Sequence, residues 1–186
     1  MNNPMQWILI LATSLLLAAC TPAAVRDPAS PFYQVPVGSQ IILHQPLEIR
    51  PGHTRVFIQR GEVTRFKDLD QYWPHCNFEV RYLVQEPQQI APDTFTVERV
   101  QQGQTEIVGW PRVQVAALNL LAFSREGGGP PSVARYYDLW LSSQQQPNVM
   151  RLRCFDAMDD LPRANLPRYS DIEATLGAIA TIQPAQ

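Results

Sequence analysis

The chain has 186 residues, 45% of them hydrophobic, and a formal net charge of −2. That balance argues against nucleic acid as a partner, because nucleic-acid modules concentrate basic charge on one surface. The positive charge is nearly all arginine, with Lys67 the only lysine; this suits carboxylate or phosphate recognition, but genomic base composition explains it more simply.

The first element is an apolar run from Trp7 to Ala19, closing as Leu17-Ala18-Ala19-Cys20. It has the length of a signal-peptide core, about 7–15 residues, and falls short of the roughly 20 that a spanning helix needs. Met1 to Gln6 carries no Lys or Arg, so only the amino terminus supplies the positive charge usual before such a core. The small-small-Cys ending resembles a bacterial lipobox. The resemblance implies that residues 1–19 are a signal peptide cut away on export, that Cys20 carries the lipid, and that the membrane is a partner through that lipid. By the sorting rule of Gram-negative lipoproteins, Thr21 rather than Asp after the cysteine implies the outer membrane, with the anchored chain on its periplasmic face.

Residues 20–38, with Pro22, Pro28, Pro31 and Pro36 among small and polar residues, read as a lipidated cysteine and an extended tether, since proline stiffens a chain and withholds ladder donors. Residues 39–186 then form one β-rich domain, close to the usual size of a single hydrophobic core. The expected strands are Gln40–Ile49, Arg55–Gln59, Cys76–Val84, Thr94–Val100, Thr105–Val108, Val113–Phe123, Ala134–Ser142 and Val149–Phe155. Arg50-Pro51-Gly52-His53 and Gln101-Gln102-Gly103-Gln104 read as hairpin connections, because glycine supplies the positive φ that tight turns demand. The strands are expected to pair in sequence order. Glu126 to Pro131, with Gly127-Gly128-Gly129 inside it, reads as a loop; it lacks the Lys and Ser or Thr that follow in a phosphate-binding loop. Gln144-Gln145-Gln146 reads as a solvated turn.

One helix is expected, starting at Ser170-Asp171-Ile172-Glu173, which fits a capping box, and running to about Ile182 with Ile172, Leu176 and Ile179 on one face. Many short strands and one C-terminal helix indicate a mainly β fold, an antiparallel β-sandwich, or alternatively a β-barrel.

With Cys20 assigned to lipid, Cys76 and Cys154 remain, an even number in an oxidising compartment, and a disulfide between them is the economical reading. Alternation supports it: Cys76, Phe78 and Val80 share one strand face, and Met150, Leu152 and Cys154 share another. His75 beside Cys76 suggests a cysteine nucleophile, but neighbours on a strand point to opposite faces, and the disulfide uses the thiol. His44, His53 and His75 lack the close spacing of a zinc motif and read as surface or loop histidines. Asp156, Asp159 and Asp160 lack the spacing of a calcium loop and read as a solvated turn. No catalytic residue, metal or cofactor is expected.

The aromatic clusters are Tyr72-Trp73-Pro74, Trp110-Pro111 and Tyr136-Tyr137 with Trp140. On the strand from Arg135 to Leu141, alternation separates Tyr136, Asp138 and Trp140 from a core row of Tyr137, Leu139 and Leu141. Tyr136 and Trp140 are therefore the candidate ligand or partner surface, because exposed aromatic rings mark contact sites; a covered outer sheet face explains the row equally well. The expected function is that of a structural or protein-interaction module of the cell envelope, engaging an envelope protein and no nucleic acid. The alternative is a β-module that binds a small ligand, peptide or glycan, and the third reading is an envelope hydrolase with scattered catalytic residues.

Overall fold

The computed structural model describes residues 25–108 and 131–185. The expected signal peptide, Cys20, Trp110-Pro111, the strand Val113–Phe123 and the Gly127-Gly128-Gly129 loop lie outside the described residues. The strands are β1 (Gln40–Leu43), β2 (Leu47–Ile49), β3 (Arg55–Gln59), β4 (Glu62–Thr64), β5 (His75–Val80), β6 (Gln88–Ile90), β7 (Asp93–Val108), β8 (Ser132–Ser142), β9 (Val149–Phe155), β10 (Asp159–Asp160) and β11 (Ala180–Gln183). Among the described residues one α-helix, α1 (Tyr169–Leu176), precedes β11, and a short 3-10 turn spans Phe66–Asp68.

The chain is mainly β, and its main sheet is a curled antiparallel half-barrel, in keeping with the expected sandwich or barrel class. The order across that sheet is β11-β1-β7-β8-β9-β5-β3-β4, with β10 appended to β8, while β2 and β6 form a separate pair. The strands thus do not pair in sequence order. Burial decides the order: Ile41, Phe95, Leu139, Leu152, Phe78 and Ile58 come from six different strands and meet on one concave face at 0% exposure. Among the described strands, β3-β4, β7-β8 and β8-β9 join sequence neighbours.

Two expected hairpins differ. The turn at Pro51-Gly52 exists, with Gly52 at φ 70°, but β2 pairs with β6 and not with β3. Gln101 to Gln104 is not a turn at all, because β7 runs straight through it for 16 residues. Gly103 meets a different need: a Cβ there would sit 2.5 Å from the Tyr136 ring, which lies across β7 at that point. The expected strand Gln40–Ile49 breaks into β1 and β2 around Pro46, consistent with proline's missing donor.

The helix is shorter than its periodicity suggests. Gly177 takes φ 54° and stops it, and Ala180–Gln183 continue as β11 against β1. The cap also lies earlier: the Asp171 carboxylate accepts the Arg168 backbone N–H at 3.3 Å, and Arg168, lacking an acceptor, cannot return the second bond of a capping box. Ile172 and Leu176 enter the core, and α1 packs on β3, β5 and β11. The Gly61 N–H donates to the Thr175 carbonyl at 2.9 Å, tying the β3–β4 turn to the helix.

The packed region begins before Ser39. Tyr33 and Val35 are each 5% exposed, and the Tyr33 ring meets Tyr169 edge-on at 5.2 Å. The end of the expected tether is therefore part of the core. Cys76 and Cys154 are direct partners on β5 and β9, with sulfurs 2.07 Å apart and a separation of 78 residues. A loop of that length is worth about 4 kcal/mol in the chain-entropy account of disulfides.

Candidate functional site

The convex face of the central strands is built by alternation. Every residue of β5 is buried; Cys76, Phe78 and Val80 point into the core, while His75, Asn77 and Glu79 occupy the other face. Strand pairing extends that face sideways. Tyr136, Asp138 and Trp140 of β8 stand opposite Phe155, Arg153 and Arg151 of β9, which in turn stand opposite His75, Asn77 and Glu79 of β5. Arg55 on β3 pairs with Glu79, and Arg99, Gln101 and Gly103 on β7 pair with Trp140, Asp138 and Tyr136.

The charges on this face form one continuous chain. Arg55 reaches Glu79 at 3.0 Å, Arg151 joins Glu79 at 2.7 Å and Asp138 at 3.1 Å, and Arg153 joins Asp138 at 2.6 Å. The side chains of Glu79 and Asp138 are only 8% and 7% exposed. Carboxylates taken this far from water require such partners, since an unpaired buried charge is prohibitively costly. Burial works against the Arg153 charge, but hydrogen bonding and attraction from Asp138 outweigh it, so its guanidinium holds its proton more firmly than usual. Three guanidinium groups face two carboxylates, leaving one positive charge in the chain.

The aromatic rings seal these ion pairs. Trp140 lies between the guanidinium groups of Arg99 at 4.4 Å and Arg151 at 5.1 Å, and its indole N–H donates to Gln101 at 2.8 Å. Tyr136 lies 4.1 Å from the Arg153 guanidinium and 5.0 Å from the Phe155 ring, and Phe155 stacks on His75 at 4.7 Å. The two alternatives for the aromatic row merge here: Tyr136 and Trp140 are half-buried on the outer face, partly covered and partly open, whereas Tyr137, Leu139 and Leu141 are core.

A cavity of about 380 Å³ opens at one end of this face, between the sheet, the Phe66–Gln71 segment and the Gln104–Ile107 stretch of β7. Its lining contains Gln71, His75 and Asn77, and in each a buried polar atom has no hydrogen-bond partner: Gln71 Oε1, His75 Nδ1 and Asn77 Oδ1. His75 and Asn77 are 4% and 2% exposed. Burial lowers the pKa of His75, and its contact with the Trp73 backbone offsets this only in part, so the imidazole is neutral at pH 7 and one ring nitrogen is an acceptor.

No protein-family model matches this chain, and neither the curated proteins nor the solved structures include a match. Geometry therefore carries the reading alone. Larger cavities occur elsewhere but carry less chemistry. One of about 650 Å³ is lined mainly by Val25 to Val37, and another of about 610 Å³ sets Arg135 and Arg168 against Asp156 and Asp171. In the second, burial raises the pKa of Asp156. Among the described residues no three metal-ligating side chains gather, and no helix is long and apolar enough to cross a membrane.

The other predicted residues separate. His44 bonds Thr181 at 2.7 Å and His53 bonds the Pro51 carbonyl at 2.8 Å, both at exposed positions. His75 is not the surface histidine expected, because β9 and the Trp73-Pro74 segment cover it. Asp159 and Asp160 are not a free turn but form β10 against β8, and Arg163 pairs with both at 3.2 and 2.7 Å. Tyr72 and Trp73 are 71% and 52% exposed, with Arg60 over the Trp73 ring at 4.4 Å. Sequence reasoning missed Gln71, Asn77, Glu79 and the arginines opposite them. The alternating His75, Asn77 and Glu79 were visible, but polar residues on alternate strand positions ordinarily face water.

Proposed function

We propose that this chain is a lipid-anchored, non-catalytic interaction module of the bacterial envelope, held at the outer membrane on its periplasmic face, and that it engages an envelope partner through the outer face of β7, β8, β9 and β5. The observation that carries this reading is the Arg99–Trp140–Arg151–Glu79–Arg55 row with its neighbours, side chains fixed against one another by buried ion pairs. A surface ordered in this way loses little side-chain freedom on binding, and Arg, Trp and Tyr are the residues that dominate contact energies at interfaces. The lipobox-like Leu17-Ala18-Ala19-Cys20 supports the anchor and the address. Among the described residues the two cysteines are joined to each other, which takes their thiols out of use as nucleophiles.

The test is photo-crosslinking in intact cells from a probe at exposed Gln101 and, as control, at Tyr82, which is 66% exposed away from this face. The expected result is a defined envelope adduct from position 101, absent from position 82, lost with Tyr136→Ala/Trp140→Ala and lost with Cys20→Ser. Equal labelling from both positions overturns the reading of this face. Unchanged labelling with Cys20→Ser overturns the anchor.

A further inference from the structure

The cavity beside His75 defines its ligand by what it lacks. Gln71 Oε1 and Asn77 Oδ1 accept hydrogen bonds and cannot donate, and neutral His75 offers an acceptor at one ring nitrogen. Gln71 Oε1, Asn77 Oδ1 and His75 Nδ1 are each buried without a partner. A buried polar group left unpaired is costly, so an occupant that supplies donors gains affinity there, while an apolar occupant makes the cost permanent.

Charge narrows the choice. An anion offers acceptors to acceptors, and the nearest cations are engaged, Arg153 by Asp138 at 2.6 Å and Arg55 by Glu79 at 3.0 Å. The same lining sets Arg153 and Arg55 against a cation and Glu106 against an anion. A neutral molecule with several hydroxyl donors avoids both conflicts. An extended peptide presents one N–H per residue on alternating sides, which suits unpaired atoms brought together from β5 and the Phe66–Gln71 segment less well than hydroxyls arranged around a ring.

Aromatic rings complete the lining, Phe155 beside its cross-strand partner His75 on the same face. Tyr136 and Phe155 meet at 5.0 Å and 56°, and both line the cavity with Phe57 and Phe66. Rings of this kind stack on apolar C–H faces while leaving the polar edge of the guest free. A volume of about 380 Å³ lies at the small end of ligand sites, which run from about 300 to 1,000 Å³.

We propose that this cavity binds a neutral saccharide unit, its hydroxyls donating to Gln71 Oε1 and Asn77 Oδ1 and pairing with His75, and its C–H face lying on the aromatic part of the lining. The inference rests on the binding role proposed above and names the chemistry of what is bound at one end of the same face. It makes the outer face a glycan-reading surface as well as a protein contact.

The experiment titrates the full mature chain in detergent micelles with glucose, galactose, N-acetylglucosamine and chitobiose, with glucuronate and glucosamine as charged comparators, followed by NMR shifts of backbone and side-chain amides. The expected result is saturable shifts at Gln71, Asn77, Gln104 and Thr105 with at least one neutral sugar, and binding at least tenfold weaker for both charged comparators. Gln71→Ala, at a half-buried loop position, should weaken binding several-fold without disturbing the fold, and Asn77→Ala at least tenfold if it folds. Absence of shifts at these amides with every neutral sugar overturns the proposal and leaves the cavity to water. Stronger binding of glucuronate or glucosamine overturns it in favour of a charged ligand, and binding undiminished in Gln71→Ala overturns the assigned contacts. These failures are separate from the photo-crosslinking result, which reports on position 101 and needs no sugar.

Discussion

Asp138 is the pivot of the outer face, because it serves Arg151 and Arg153 together while its own side chain is 7% exposed. Replacing it with Asn keeps the shape and removes the charge, leaving two guanidinium groups, 14% and 16% exposed, with one carboxylate between them. Breaking a buried pair in this way costs about 3 kcal/mol, whereas an exposed pair is worth about 0–1 kcal/mol. Asp138→Asn should therefore lower the urea-unfolding free energy by about 3 kcal/mol, and Arg163→Ala, at a pair 68% exposed on its arginine, by less than about 1 kcal/mol. Equal losses would show that the ion chain is no stronger than a surface pair. His75 gives the pH dependence. Burial lowers its folded pKa below the ordinary 6.5, so below that value the unfolded chain binds protons that the folded chain refuses. Stability must then fall as pH drops through the ordinary imidazole range and continue falling until the folded pKa is reached. His75→Gln should flatten the unfolding free energy between pH 7.5 and 5.5, and an unchanged slope would assign the effect elsewhere. The sequence exposed Tyr136 and Trp140 because their row alternates with Tyr137, Leu139 and Leu141. It concealed the site's other half, because which arginine faces which carboxylate depends on how β5, β9 and β8 pair, and strand order is a tertiary property.

At the scale of elements, two glycines look alike in the sequence and do different work. Gly177 ends α1 at φ 54°, and a Cβ there would lie 2.7 Å from the Gly61 Cα, a backbone atom with little room to yield. Gly103 sits in the middle of β7, and a Cβ there meets Tyr136 at 2.5 Å, but at the far end of a side chain that can swing. Gly177→Ala combines backbone strain with a backbone clash, each of order 1–3 kcal/mol, and should cost at least about 2 kcal/mol. Gly103→Ala should cost about 1 kcal/mol or less while lifting the Tyr136 ring off β7. Thermal unfolding checks the first, and the NMR shifts of Tyr136 and Phe155 check the second; a larger loss at Gly103 would reverse the assignment. The same pair explains why elements were only partly legible. Arg55–Gln59 and Val149–Phe155 were read with the bounds they have, because alternation alone defines them. The sequence pattern splits the long β7 into two strands around a turn, since glycine accommodating a neighbouring ring leaves the same mark as glycine in a turn. The helix was overextended because Ile179 and Ile182 fit a helical stripe, and only the positive φ at Gly177, invisible in the pattern, diverts them into β11.

At the scale of the molecule, the half-barrel is closed by pieces from both ends of the described chain. Tyr33 from before β1 lies against Tyr169 of α1 and Val35 is buried beside it in the chain, the Tyr169 hydroxyl donates to the Ile182 carbonyl at 3.1 Å, and the Ala185 N–H donates to Ser39 at 3.1 Å. The helix meanwhile holds the β3–β4 turn through Thr175 and Gly61. The segment assigned to a tether by its prolines is thus, at Tyr33, part of the closure. If Cys20 is lipidated as proposed, thirteen residue steps separate it from Tyr33, which limits the reach of the anchor to at most roughly 45 Å. Any pull from the membrane is then delivered to the core at Tyr33. A chain beginning at Ser39, where the composition places the domain boundary, should therefore be a poor domain. Loss of a buried aromatic side chain alone costs about 3–5 kcal/mol, and loss of Val35 adds about 1.5–3 kcal/mol, a large share of an ordinary domain's stability. Urea unfolding of chains beginning at Val25 and at Ser39 measures this, with Tyr33→Ala in the longer chain as the single-site version. The expected losses are at least about 4 kcal/mol for the truncation and about 3 kcal/mol for Tyr33→Ala. Stabilities within about 0.5 kcal/mol of each other would mean that α1 and β11 close the half-barrel unaided and that the segment ahead of Ser39 only rests on its surface.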